Sequence, residues 1–261
     1  MRFRITIEAM NQNARNIIPI DYQYPLASVM YKIIEKGNST YSRWLHETGI
    51  SDGNKKFKYF TFSRLKPQKY KVDGDKMIII NSKTEFFASF YIDNHAEPFI
   101  MGLFKDTEIE LGNALYRSNF RISSVEKLKD FDFRDRMSFR CLSPIVVSYK
   151  PDSKKYPDYL KPDDKRFAEL LIKNLLQKQQ LFYDRAEIPI LETLIRNCNF
   201  KIWGDYKKKG VTIKKGEPGE TKIIGYDFHF SIVLPEAMQR IGYYAGFGEK
   251  NSMGFGCVES V

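Results

Sequence analysis

The 261 residues are 43% hydrophobic and 15% aromatic, enough apolar material for one large core or two small ones, which argues against a disordered chain. Lys and Arg number 42 against 32 Asp and Glu, a net charge of +10, which favours a polyanionic partner without choosing between nucleic acid and an anionic membrane surface. Cys141, Cys198 and Cys257 are far apart, odd in number and without a zinc-ligand spacing, so a reduced, cytosolic compartment with no structural zinc is expected. The opening MRFRITIEAM lacks the apolar core of a signal peptide, and no later run approaches a membrane span. A cytoplasmic protein with no membrane partner is the expectation.

In RFRITIE, Phe3, Ile5 and Ile7 alternate with mostly charged residues, which predicts an opening strand. Leu26, Val29, Met30, Ile33 and Ile34 then recur at helical spacing behind Pro25 and predict a helix to about Lys36. A short helix around Ser42–Glu47 places His46 at its end, before the polar SDGNKK and the strand-forming KYFTFSRL. Strands are predicted at Lys76–Ile80, Glu85–Ile92 and Glu108–Leu111, with a helix over His95–Phe104 between the last two. That order is the ferredoxin-like, or RRM-like, arrangement.

A second set begins with SFRCLSPIVVSY as a strand. Pro162, Asp163 and Asp164 then start a helix whose stripe runs through Phe167, Leu170, Leu171, Asn174, Leu175 and Lys178. Strands at FKIW and IIGYDFHFSIVL, the short helix PEAMQRI and a final strand FGCVES complete it. The expected fold class is α+β: two tandem ferredoxin-like domains, residues 1–130 and 131–261, the second ending in a glycine-rich loop. No internal sequence repeat accompanies the duplication.

That loop, GYYAGFGEKNSMGFG, carries glycines at 242, 246, 248, 254 and 256. Glycine admits positive φ and close backbone approach, so such a run can offer N–H donors to a phosphate, although an arbitrary glycine cluster is more often a turn with no ligand. A dinucleotide fingerprint fails because Asn251 stands at the third glycine position, and no P-loop pattern is present. GFGCVES shares only Gly254, Phe255, Gly256 and Val258 with the RRM signature.

The segment Gly246–Gly256, GFGEKNSMGFG, resembles the C-terminal glycine-rich loop of the CRISPR-associated repeat-processing endoribonucleases of Cas family six, members of the RAMP superfamily. The resemblance extends over the opening strand, IDYQYPLASVMYKII, WLHETG, KYFTFSRL and FRCLSPIVV, and is loosest between Lys150 and Asn197. It implies tandem RRM-like domains that cut precursor crRNA within the CRISPR repeat, without metal or other cofactor, through 2′-hydroxyl attack that leaves 5′-hydroxyl and 2′,3′-cyclic phosphate ends. Repeat RNA is thus the implied partner; membership of a CRISPR effector complex, homodimerisation, a non-cleaving repeat-RNA-binding subunit and a generic RRM-type RNA-binding protein stay open beside it.

Metal-free cleavage needs a base for the 2′-hydroxyl, an acid for the leaving 5′-oxygen and positive charge for the phosphorane. By the resemblance, His46 in WLHETG is the active-site histidine, Tyr31 in ASVMYKII its tyrosine companion and Lys58 the active-site lysine, with Lys55 and Lys56 as rivals. Read without that context, His46 is a helix-end histidine and Tyr31 a core aromatic. His95 and His229 read as structural. For RNA binding the candidates are Gly246, Gly248, Lys250, Gly254 and Gly256 in the loop, Lys207, Lys208, Lys209, Lys214 and Lys215 in a lysine-rich stretch expected to form a basic hairpin or loop, and Arg134, Arg136 and Arg140 near the domain junction. A solvated surface explains the lysines equally well on charge alone.

Overall fold

The computed structural model describes residues 1–11, 15–36, 50–52, 55–80, 83–92, 97–105, 107–182, 191–216 and 218–261. The first half contains strands β1 (Arg2–Ala9) and β2 (Asn16–Pro19), helix α1 (Gln23–Lys36), and the short strands β3 (Ile50–Asp52), β4 (Lys55–Phe57), β5 (Phe60–Phe62) and β6 (Lys66–Pro67). It continues with β7 (Tyr70–Asp73), β8 (Lys76–Ile79), β9 (Lys83–Phe90), helix α2 (Glu97–Phe104), β10 (Glu108–Gly112) and β11 (Arg117–Lys127). The main sheet is antiparallel in the order β10-β11-β1-β9-β5, with β6 also paired to β9.

Strict alternation explains β1: Phe3, Ile5 and Ile7 are fully buried, and Arg4, Thr6 and Glu8 lie half-buried on the other face. The buried row packs with Leu26, Met30, Ile33 and Ile34 of α1, Ile100 and Phe104 of α2, and Phe60 and Phe90 of the neighbouring strands in one core. A smaller sheet, β2-β8-β7, lies beside it.

The second half contains β12 (Arg136–Cys141), β13 (Ser148–Tyr149), β14 (Asp158–Tyr159), α3 (Phe167–Phe182), α4 (Leu191–Asn197), β15 (Lys201–Ile213), β16 (Thr221–Val233), α5 (Glu236–Ala245) and β17 (Val258–Ser260). Its antiparallel sheet runs β15-β16-β12-β17. Phe139, Phe230 and Ile232 from the sheet, Phe167, Leu171 and Leu175 from α3, and Met238 and Ile241 from α5 form a separate core. In the first half β1 lies between β11 and β9, and in the second β12 lies between β17 and β16, so each half pairs its first strand with its last.

Three differences from the sequence reading have local causes. Strand β11 is not predicted, because a register shift opposite Thr6 and Ile7 leaves Ser123 outside the pairing. Its apolar residues therefore change phase, from Phe120 and Ile122 to Val125, and no simple alternation is visible. SFRCLSPIVVSY is not one strand: β12 ends at Cys141, and Pro144, which has no N–H to donate, precedes a single bridge from Ile145 to Tyr226. FKIW is only the start of β15, which runs on through the lysine-rich segment and pairs with the apolar β16, so of the hairpin and the loop expected there the hairpin is the one formed. The short helix expected at Ser42–Glu47 lies outside the described residues, and the helix expected from His95 begins, among them, at Glu97.

The halves are joined by buried polar contacts. Arg2 is 3% exposed and donates from Nε to Ser89 Oγ (2.6 Å), from Nη1 to the Val258 carbonyl (2.7 Å) and from Nη2 to the Tyr243 carbonyl (2.8 Å), its guanidinium 3.6 Å from the Tyr243 ring centre. Arg64 and Asp227 add an ion pair of 2.6 Å across the junction. Among the described residues, no helix is long and apolar enough to cross a membrane.

Candidate functional site

The glycine-rich segment lies between the halves. Gly246, Gly248, Gly254 and Gly256 all have positive φ and are buried. A β-carbon at Gly254 would strike the Phe62 ring of the first half, and one at Gly256 would strike the Phe247 carbonyl oxygen. Glycine is therefore required here by packing as well as by φ. Several loop N–H groups turn inward: Phe247 donates to the Gly256 carbonyl (2.9 Å), Glu249 to Val146 (2.8 Å) and Gly256 to Pro144 (2.8 Å). Lys250 is the exposed member of the predicted set.

Two side chains knit the loop from within. Asn251 is buried and donates from Nδ2 to the carbonyls of Phe247 (3.2 Å) and Phe255 (3.1 Å). Lys178, 1% exposed near the end of α3, donates from Nζ to the carbonyls of Gly246 (2.7 Å) and Gly248 (2.9 Å) and to Asn251 Oδ1 (2.7 Å). Burial pushes its ammonium down to about 7, opposed by the nearby Glu249 carboxylate. The helical period alone assigns Lys178 to the apolar stripe; a lysine on that stripe is the signal that it needs a polar partner.

The first half meets the loop directly. Gln23 Nε2 of α1 donates to the Gly254 carbonyl (2.7 Å), and Thr61 Oγ1 of β5 to the Phe255 carbonyl (2.8 Å). Tyr31, half-buried on α1, stands edge-on to Phe60 with ring centres 5.5 Å apart and donates from Oη to Ser252 Oγ (2.7 Å). Desolvation raises the Tyr31 pKa above its ordinary value, outweighing the hydrogen bond to Ser252, so the phenol stays protonated near neutrality and is a donor there.

Lys58 is half-buried between β4 and β5. Next to it, Tyr59 donates from Oη to the Lys178 carbonyl (2.8 Å). Lys55 and Lys56 lie in β4, in register with Asp52 and Ser51. His46 and His95 lie outside the described residues. His229 is exposed on β16, in register with Arg140 and Trp203.

The basic residues occupy a different region. Strands β15 and β16 form a long hairpin in which Lys207, Lys208 and Lys209 oppose Asp227, Tyr226 and Gly225. Lys207, Lys208, Lys214 and Lys215 are exposed or half-exposed and Lys209 half-buried. Lys215 Nζ pairs with Asp75 of the first half at 3.1 Å. A cleft of about 340 Å³ beside this ion pair is lined by Tyr24, Lys32, Glu110 and Lys214 among others. Arg134 and Arg136 are exposed, and Arg140 pairs with Glu259 across β12 and β17.

Comparison with known proteins agrees with this arrangement. The chain matches the family description "CRISPR-associated protein Cas6, N-terminal" over residues 17–126 and "CRISPR associated protein Cas6, C-terminal" over residues 126–260. It is 29% identical to the CRISPR-associated endoribonuclease Cas6 1 of Methanocaldococcus jannaschii, over 99% of this chain and 92% of that protein. It is 27% identical to the CRISPR-associated endoribonuclease Cas6 of Pyrococcus furiosus, over 99% of this chain and 89% of that one. A solved structure described as CRISPR associated protein Cas6 superposes with a TM-score of 0.76 at 27% identity, covering 100% of this chain and 99% of the other.

Two antiparallel α+β halves closed by a C-terminal glycine-rich loop, together with these matches, define a CRISPR-associated protein. Within that class the chain belongs to the Cas6 family of CRISPR-associated endoribonucleases.

Proposed function

We propose that this protein binds CRISPR repeat RNA and cuts precursor crRNA within the repeat by metal-independent transesterification. The substrate 2′-hydroxyl attacks the adjacent phosphorus and gives up its proton. The bond to the 5′-oxygen breaks, that oxygen takes a proton, and 2′,3′-cyclic phosphate and 5′-hydroxyl ends remain. His46 is the proton-transfer residue, Tyr31 a neutral hydrogen-bond donor that assists it, and Lys58 the cation that offsets charge on the phosphorane.

The observation that carries this reading is the Tyr31–Ser252 hydrogen bond of 2.7 Å, which ties the helix-one tyrosine to the glycine-rich loop. Residues 1–130 and 131–261 are read as two ferredoxin-like domains, supported by the shared strand order of the two sheets. Lys207, Lys208, Lys209, Lys214, Lys250, Arg134 and Arg136 provide exposed or half-exposed cations for the RNA backbone; Lys215 and Arg140 would have to exchange their carboxylate partners for phosphate. The four buried glycines shape the loop, and Lys250 is its phosphate contact.

The test is cleavage of the host's repeat RNA in EDTA, comparing wild type with His46→Ala and an intact with a removed 2′-hydroxyl at the cut site. Cutting that survives EDTA but requires both His46 and the 2′-hydroxyl is expected. Cutting by His46→Ala, or of the 2′-deoxy substrate, overturns the assignment.

A further inference from the structure

Lys178 stands apart from the residues assigned so far, because its ammonium faces no solvent and donates into the glycine-rich loop. Three acceptors surround Nζ: Gly246 O at 2.7 Å, Gly248 O at 2.9 Å and Asn251 Oδ1 at 2.7 Å. An ammonium has three N–H donors and no acceptor, so this cage matches it group for group. A hydrogen bond to substrate phosphate is thereby excluded, since each proton already has a protein acceptor.

The residue also reaches the opposite side of the site. Its own carbonyl accepts from Tyr59 Oη at 2.8 Å, next in sequence to Lys58. Asn251, which it grips, opens the single turn Asn251–Met253, and the following residue, Ser252, accepts from Tyr31. One buried residue thus touches the loop through its side chain and the Lys58 segment through its backbone. Its helix, α3, belongs to the second half, whereas Tyr31 and Lys58 belong to the first.

We propose that Lys178 is a positioning residue, whose ammonium holds the glycine-rich loop closed so that Ser252 meets Tyr31 and the substrate-facing geometry of the site is set. Charge is used here because loop carbonyls that converge on one point need a compact multiple donor, which an apolar side chain of similar length does not supply. The desolvation described above opposes burying that charge, and a residue that only filled the core would not need it. The inference rests on the cleavage reading for its functional consequence, but the closure of the loop is independent of it.

The experiment compares wild type, Lys178→Met, Tyr31→Phe and the double variant. Amide hydrogen exchange is measured over residues 246–257, together with single-turnover cutting and affinity for uncleavable 2′-deoxy repeat RNA. Lys178→Met should speed exchange in that segment while β1 and β16 stay protected, and slow cutting by roughly thirtyfold or more, the scale of small misplacements at a reacting centre. Affinity for the 2′-deoxy RNA should fall far less than the cutting rate, since of the proposed backbone-binding cations only Lys250 lies on the loop that Lys178 grips. In the double variant Tyr31→Phe should add little, because the loop that Tyr31 engages is already displaced.

Unchanged exchange over 246–257 overturns the clamp whether or not the wild type cuts RNA, whereas a wild type that exchanges as expected but does not cut overturns the function reading alone. Wild-type cutting rates in Lys178→Met, or losses that add in the double variant, overturn the positioning role. If Lys178→Met does not fold, Lys178→Gln, which retains two N–H donors, takes its place with smaller changes of the same sign. If that chain is unfolded as well, Lys178 is a folding residue and the proposal is wrong.

Discussion

The glycine-rich loop and the lysine-rich hairpin both contain glycines in the left-handed region, at φ +74 for Gly256 and +76 for Gly216, yet for different reasons. Around Gly256 the Phe247 carbonyl and Asn251 fill the space a side chain would need; around Gly216 there is nothing within 4 Å. The loop is buried, cross-linked by Lys178 and Asn251, and joined to both halves. The hairpin is a scaffold that carries charge in solvent. Under the proposed function a motif with little sequence freedom and a patch with a great deal serve one RNA, the first by holding geometry and the second by supplying potential.

Substituting alanine at the two glycines breaks the comparison most severely. Gly256→Ala combines left-handed strain of about 1–2 kcal/mol with overpacking of about 1–3 kcal/mol, so denaturant unfolding should show a destabilisation of about 2–5 kcal/mol. Gly216→Ala carries the strain alone, about 1–2 kcal/mol, and its repeat-RNA cutting should be unchanged. Equal destabilisation at the two sites would erase the difference between a packed and an open glycine.

Tyr31→Phe keeps the ring against Phe60 and deletes the bond to Ser252. Stability should fall by about 1 kcal/mol in the same unfolding assay, while cutting slows more than RNA binding weakens. A variant that cuts at the wild-type rate would return Tyr31 to the core.

The smallest stability effect belongs to the hairpin. Replacing Lys207, Lys208 and Lys209 together by Ala should leave unfolding within about 0.5 kcal/mol of wild type. RNA binding should weaken uniformly across sequences, and the slope of log affinity against log salt should flatten by about 0.7 for each phosphate that is no longer neutralised. An unchanged slope would mean that these lysines form only a solvated face.

Much of the fold is legible in the sequence because alternation and helical period report directly which face is buried. Phe3, Ile5 and Ile7 mark β1, and Leu26, Met30 and Ile33 mark α1. Strand β11 is hidden because its bulge changes the phase of alternation, and the length of β15 because its lysines are stabilised by the partner strand and not by their own propensity. In the site, the glycine spacing is readable because each glycine meets a local backbone demand. The clamp of Lys178 on Gly246, Gly248 and Asn251 is not, since it spans about seventy residues and nothing local to α3 requires it.

Alone, the sequence determined the net charge of +10, the buried faces of the main elements and the identity of the glycine-rich loop, all of which depend on residue type and short-range spacing. Only the tertiary structure decided which strand lies beside which, that the loop bolts the two halves together, and that a helix-stripe lysine turns its charge into that bolt. Those outcomes depend on groups distant in the chain finding one another, where the cost of burying a polar atom leaves few arrangements that satisfy every partner.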